Sequence, residues 1–102
     1  MQLKPGTRLR SAADSTEVIV VRAPAHDVDL RCGGRPVIEH GADVPAGATP
    51  DPAHAAGTQV GKRYTDAAVT LEVLCTKAGD GALSLGDEPL VEKGAKPLPS
   101  SD

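Results

Sequence analysis

Two segments of the chain alternate apolar and polar residues with a period of two, and each has a cysteine on its apolar side. The apolar positions are Val28, Leu30 and Cys32 in the first segment and Val69, Leu71, Val73 and Cys75 in the second. Successive side chains of a β-strand point to opposite faces, so this spacing predicts two half-buried strands that share one interior. A helix capped by Asp66 and Gly79 is the rival interpretation of the second segment, but its β-branched residues favour a strand.

Residues 16–22 predict a third strand, which should lie in the centre of a sheet. They include the run Val-Ile-Val-Val at positions 18–21, and β-branched residues suit a pleated, packed surface. An unbroken apolar run is typical of a strand covered on both faces. Between strands, Gly33 with Gly34 predicts a two-residue hairpin, and Asp80 with Gly81 predicts another.

The core has to be built from small aliphatic side chains, because Tyr64 is the only aromatic residue among 102. This length supports one domain with one modest core, so we expect marginal stability or further burial through self-association. The predicted fold is all-β. It is a small sandwich or open barrel of about six to eight short antiparallel strands with hairpin connections, and two packed β halves are one form it can take.

Residues 42–61 separate two β-rich halves, residues 1–41 and 62–94, of the single domain. The separating segment holds three prolines, three glycines and almost no large apolar residue. Such a composition buries too little surface to offset its ordering entropy, so we expect a mobile Ala/Pro/Gly loop, with a functional lid as the alternative. Residues 95–102, rich in Pro and Ser, should form a flexible tail.

Residues 35–41 and 88–94 resemble each other. Each stretch has a proline, two aliphatic residues, a glutamate, a residue that can carry positive charge, and a glycine. Two edge strands that end at a glycine turn can look alike by chance, and this is the simpler explanation. The alternative is a duplicated β unit of roughly 30–40 residues, too small to fold alone, whose halves pack face to face.

Charge and hydropathy exclude several classes of function. The net charge is −3, from 11 basic and 14 acidic residues, which argues against a general nucleic-acid binder, and we interpret Arg8 and its basic neighbours as solvated strand faces. No apolar run approaches the length of a membrane span, and from the polar residues at the N-terminus we expect no secretory signal. We expect a soluble cytoplasmic protein without a membrane or nucleic-acid partner, and the composition indicates a GC-rich bacterial genome.

The two cysteines have several interpretations. In a cytoplasmic protein the first is a pair of reduced core thiols, and the second is a Cys32–Cys75 disulfide. The third is a metal site, with zinc as the metal and with Cys32, Cys75, His40 and His26 as candidate ligands. Structural zinc sites usually use paired ligands at short spacing, whereas each segment here offers a single cysteine. A redox-active thiol would need a neighbour that stabilises the thiolate.

No motif in the sequence identifies a catalytic or cofactor-binding site. The leading hypothesis is a small non-enzymatic binding or assembly module, which would contact a protein partner or a second copy through its β edges. The alternative is a small metal-binding or thiol-redox protein that uses Cys32 and Cys75. An enzyme that closes residues 42–61 over a ligand is a third hypothesis.

Overall fold

The computed structural model describes residues 2–43 and 49–93, and in these residues the chain is all-β. The first half contains β1 (Arg8–Arg10), β2 (Glu17–Arg22), β3 (Leu30–Cys32), β4 (Arg35–Pro36) and β5 (Ile38–Glu39). The second half contains β6 (Arg63–Thr65), β7 (Glu72–Lys77), β8 (Leu83–Leu85), β9 (Glu88–Pro89) and β10 (Val91–Glu92). A short 3-10 helix, Pro52–His54, lies between the halves. None of the helical structure in these residues has the length and apolarity to cross a membrane.

The strands form two antiparallel sheets, which confirms the predicted fold class. One sheet has six strands in the order β5-β1-β2-β7-β6-β10, and the other has four in the order β4-β3-β8-β9. Aliphatic side chains from both sheets meet in one core, where Leu9, Val20, Leu71 and Val73 are among the least exposed. Burial of these apolar side chains is the main favourable contribution to folding.

Both halves have the same strand order, so the described residues contain two structurally equivalent repeats. In each half the first strand pairs with the second and the fifth, and the third pairs with the fourth. The halves join through the central pairs β2–β7 and β3–β8, so each sheet is symmetric about its centre. The two repeats lie side by side and share both sheets, rather than packing face to face.

Backbone hydrogen bonds repeat in the same places. The matching bonds are Val37 N–H to Leu30 O (3.1 Å) with Leu90 N–H to Leu83 O (3.0 Å), and His40 N–H to Arg8 O (3.0 Å) with Lys93 N–H to Arg63 O (2.8 Å). These bonds define equivalent positions, so Arg8 corresponds to Arg63 and His40 to Lys93. The two similar stretches therefore occupy equivalent positions in the fold, which favours the repeated β unit over the chance explanation.

The predicted burial holds at every apolar position of the two segments except Val69, although Val28 and Leu71 lie outside the observed strands β3 and β7. Cys32 and Cys75 are each 1% exposed and their apolar neighbours on the same faces are buried. Val69 is the exception, because it is 38% exposed and has a φ of 58° in the turn that precedes β7. Asp66 causes the break: its carboxylate accepts the N–H groups of Thr70 and Leu71 at 2.8 and 3.0 Å, which holds a turn instead of a strand.

Two further expectations need correction. The central strand β2 is covered on one face only, because Val18 and Val20 are buried whereas Val21 is 41% exposed. Asp80 and Gly81 do not form a hairpin, since β7 and β8 belong to different sheets and this connection crosses between them.

The separating segment is described in part. Residues 44–48 and the tail 95–102 lie outside the described residues. Residues 49–61 are hydrogen-bonded to the domain, and the bonds are Asp51 N–H to Gly33 O (2.8 Å), Ala82 N–H to His54 O (2.8 Å) and Thr58 N–H to Gly79 O (3.0 Å). Whether residues 42–61 are mobile in solution stays a prediction.

Candidate functional site

Both cysteines are free thiols inside the core. The Cys32 thiol donates to Asp14 Oδ1 at 3.9 Å, and the Cys75 thiol donates to the Lys77 carbonyl at 3.2 Å. Burial and the charge of Asp14 raise the pKa of Cys32 to about 11, and burial raises the pKa of Cys75 as well. A thiol needs a lowered pKa to react as a thiolate at neutral pH, and these two have the opposite.

Asp14 is the polar centre beside Cys32. Its carboxylate accepts hydrogen bonds from the N–H and hydroxyl of Thr16, at 3.2 and 3.1 Å, and from the N–H of Gly81. Burial acts to raise the pKa of Asp14, but hydrogen bonds from Ser11, Gly81 and Thr16 outweigh it and lower that pKa. Asp14 therefore anchors the crossing between β7 and β8. A Cβ at Gly81 would lie 2.8 Å from Asp14 Oδ2, so glycine is required there.

The structure does not bring the histidines to the cysteines. His26 lies on an exposed loop with its Nδ1 2.9 Å from the Asp27 carbonyl oxygen. His40 lies outside the core, with its Nε2 3.3 Å from Glu17 Oε1. Within residues 2–43 and 49–93, no group of three or more His, Cys, Asp or Glu side chains is arranged to hold a metal ion. The zinc site stays a prediction, and the described residues form no ligand cluster that would support it.

A pocket of about 230 Å³ lies on the outer face, the side of the six-stranded sheet turned away from the core. We call it the first-repeat pocket, and its lining residues are Arg8, Leu9, Glu17, Val18, Ile19, His40 and Thr76. Arg8 stands opposite Ile19 in the β1–β2 ladder, which places a guanidinium beside an aliphatic surface. The pocket therefore combines a charged group with an apolar wall.

The two charged residues of the first-repeat pocket, Glu17 and Arg8, differ in their interaction partners. Glu17 pairs with His40 and stands opposite Arg10 and Lys77 in the neighbouring ladders. The Arg8 side chain, in contrast, has no hydrogen bond or ion pair within the described part of the chain. The one carboxylate that lines the pocket, Glu17, faces His40 rather than Arg8.

In the second repeat, the equivalent residues Arg63, Glu72 and Lys93 lie against one another and bury the carboxylate. Glu72 has a side chain only 3% exposed, with Lys93 Nζ at 2.7 Å and an Arg63 nitrogen at 3.6 Å. The hydrogen bond from Lys93 lowers the pKa of Glu72 against the effect of burial, and the charges of Lys93, Arg63 and Arg22 add to it. Here both cations are used to neutralise a buried carboxylate.

A second concavity, the second-repeat groove, has a volume of about 430 Å³. Its lining residues are Ala56, Gly57, Thr58, Gln59, Tyr64, Gly79, Leu90 and Glu92. The Tyr64 hydroxyl accepts the Gln59 N–H at 2.9 Å, and Glu92 stands opposite Tyr64 in the β6–β10 ladder. The groove therefore brings the only aromatic residue of the chain next to a carboxylate.

Sequence reasoning named His40 as a candidate ligand, interpreted Arg8 as part of a solvated strand face, and did not name Glu17. A usable signal was present, because Gly-x-Arg at positions 6–8 recurs at 61–63 and Glu-Val at 17–18 recurs at 72–73. These recurrences extend the sequence similarity of the two repeats beyond residues 35–41 and 88–94. They show which charged residues occupy equivalent positions in the two repeats. They do not show that Glu17 lines an open pocket while Glu72 is buried.

Comparison of the chain with protein-family models, with curated proteins and with solved structures found no match.

Proposed function

We propose that this protein is a non-enzymatic binding module whose first-repeat pocket receives an acidic group of a protein partner. The observation that carries the proposal is the free guanidinium of Arg8 at a pocket, while the equivalent Arg63 is held by Glu72. Arginine binds carboxylates through two parallel hydrogen bonds, which gives geometric specificity as well as energy.

The other pocket residues suit a side-chain carboxylate. Ile19 offers aliphatic surface to the methylene groups of a glutamate, and His40 offers a second ring nitrogen beyond the one that faces Glu17. A volume of about 230 Å³ accommodates one side chain rather than a large cofactor. An acidic side chain of a partner therefore fits both the charge and the size.

A contact through the pocket suits this fold better than the addition of a strand to a sheet edge. The outermost strands β5, β10, β4 and β9 are each two residues long. In the four-stranded sheet, Pro36 and Pro89 occupy these edges and have no N–H to donate. The proposed partner, or a second copy of the chain, therefore docks on the outer face.

The proposal extends to a bacterial cytoplasm as the location. Free, buried thiols suit a reducing compartment, and the bacterial origin rests on composition. The alternative function, metal binding or thiol redox, is tested by elemental analysis and thiol titration. Two thiols that react only after unfolding, without stoichiometric metal, would exclude this alternative. Bound metal in the purified protein would favour it over the binding module.

Calorimetric titration with an acetylated diglutamate peptide tests the proposal. We expect saturable binding that an acetylated diglutamine peptide does not reproduce. Arg8→Gln should weaken binding by about tenfold, because it removes a charge-assisted pair. The matched variant Arg63→Gln changes the equivalent residue of the second repeat and should leave the affinity within about twofold. Equal effects of the two variants, or no binding by the wild-type protein, would refute the proposal.

A further inference from the structure

The second repeat has an open groove where the first repeat has packed aliphatic side chains. Tyr64 occupies the position of Leu9, because each pairs with the glutamate of the last strand in its repeat, Glu92 and Glu39 respectively. Leu9 is fully buried, and Leu3 packs in the same core at 4% exposure. The equivalent place is therefore filled by aliphatic side chains in the first repeat and forms a polar concavity in the second.

The groove presents hydrogen-bond acceptors beside the aliphatic side chain of Leu90. Tyr64 receives the N–H of Gln59, and burial together with the charge of Glu92 raises the pKa of Tyr64, so its hydroxyl stays protonated. Glu92 has one cationic neighbour, Lys62, at 4.0 Å, and both side chains are well exposed. Such a pair contributes little and is easily exchanged for a better partner. Leu90 is 9% exposed and lies among the lining residues.

We propose that the second-repeat groove binds a primary alkylammonium group. The Glu92 carboxylate and the Tyr64 hydroxyl oxygen accept hydrogen bonds from the ammonium, and Leu90 contacts the alkyl chain. The ammonium donates three hydrogen bonds and carries a compact charge, which matches one carboxylate and one hydroxyl better than the planar guanidinium does. A lysine side chain of a protein and a free alkylamine share this chemistry. The groove and the first-repeat pocket share no lining residue, so the two proposals stand independently.

Tyr64 provides a direct readout, because it is the only aromatic residue of the chain and lines the groove. Titration with n-butylammonium chloride should change the tyrosine fluorescence and the amide shift of Gln59 in a saturable manner. Sodium butyrate at the same ionic strength should change neither. A response to butyrate that equals the response to butylammonium would overturn the proposal, and so would the absence of any response.

Variants assign the effect to the groove. Glu92→Gln should weaken butylammonium binding at least about fivefold, since it removes the charge-assisted hydrogen bond. Glu39→Gln, the equivalent change in the first repeat, should leave binding unchanged. Tyr64→Phe keeps the ring, and it should weaken binding by about threefold as judged from the Gln59 amide shift. Equal losses in Glu92→Gln and Glu39→Gln would show a nonspecific charge effect and contradict the proposal.

The source of the ammonium is distinguished by a second ligand. An Nα-acetyl-lysine amide that binds more tightly than butylammonium indicates a lysine side chain of a protein, because its backbone adds contacts with residues 56–59. Weaker binding of the acetyl-lysine amide indicates a free amine. Failure of both ligands, with the diglutamate titration intact, rejects the groove without affecting the first-repeat pocket.

Discussion

In the second repeat Glu72 is buried between Lys93 and Arg63, whereas in the first repeat Glu17 lies at an open pocket beside His40. The strand register around the two glutamates is the same, so the backbone does not account for the difference. The side chains around them differ: after the fifth strand, Lys93 lies 2.7 Å from the Glu72 carboxylate and His40 lies 3.3 Å from that of Glu17. In the second repeat Lys93 and Arg63 neutralise the buried Glu72, whereas in the first repeat the Arg8 side chain has no ion pair within the described residues.

The turns that precede the second strand of each repeat differ in a similar way. In the first repeat, Asp14 reaches across to Gly81 and ties the repeats together. In the second, Asp66 closes its own turn, and Val69 takes a backbone conformation that β-branched residues rarely adopt. The first repeat therefore has the Asp14–Gly81 hydrogen bond, and the second has the turn closed by Asp66. A single substitution can remove either one.

The largest effect is expected from Asp14→Ala. The variant leaves the Gly81 N–H and the Thr16 N–H and hydroxyl without their acceptor, at a cost of about 3 kcal/mol in the free energy of unfolding. Denaturant unfolding measures this, with Asp80→Ala as the control because Asp80 is exposed in the same connection. A loss below about 1 kcal/mol would mean that Asp14 does not anchor the crossing.

The next largest expected effect is a loss of stability at alkaline pH, and it comes from Cys32 in the first repeat. Cys32 has its pKa raised from 9.0 to about 11, so the unfolded chain loses this proton first as the pH rises. Its contribution is complete below pH 9 and is lost by about pH 11, a fall of about 2–3 kcal/mol. Unfolding of Cys32→Ala should show a smaller slope over this range. Identical slopes would contradict the assignment.

Glu72→Gln should destabilise the protein more than Glu17→Gln does. The first variant breaks a buried ion pair with partly exposed partners and should cost about 2 kcal/mol, against less than about 0.5 kcal/mol for the more exposed Glu17. Because the pKa of Glu72 is lowered, its contribution is present above pH 4.5 and is lost as the pH falls through the folded pKa. Thermal unfolding at pH 7 and pH 3 checks both statements. Equal losses at pH 7 would remove the distinction between a closed and an open repeat.

The smallest expected effect is a gain in stability. Val69→Asn replaces a β-branched residue at positive φ by one that tolerates this conformation, and it should stabilise the protein by about 0.5–1 kcal/mol. Val60→Asn is the control, because Val60 is 60% exposed without a positive φ. Equal changes in melting temperature would mean that the turn at Val69 carries no strain.

The all-β fold class could be predicted from local spacing, but the strand order and the pocket could not. Alternation placed Cys32 and Cys75 in the core, and Gly33 with Gly34 does form the turn between β3 and β4, with both φ angles positive. Alternation failed at Val69 because side-chain hydrogen bonds from a neighbouring turn decide that conformation. The pocket depends on strand register, which sets Arg8 beside Ile19 and brings His40 to Glu17 from distant parts of the sequence.

The most direct test of the difference between the repeats is a map of backbone amide shifts during titration with the acetylated diglutamate peptide. We expect saturable changes at Arg8, Ile19 and His40, and none at the equivalent Arg63, Leu74 and Lys93. Changes of similar size in both repeats, or in the second repeat alone, would contradict the account.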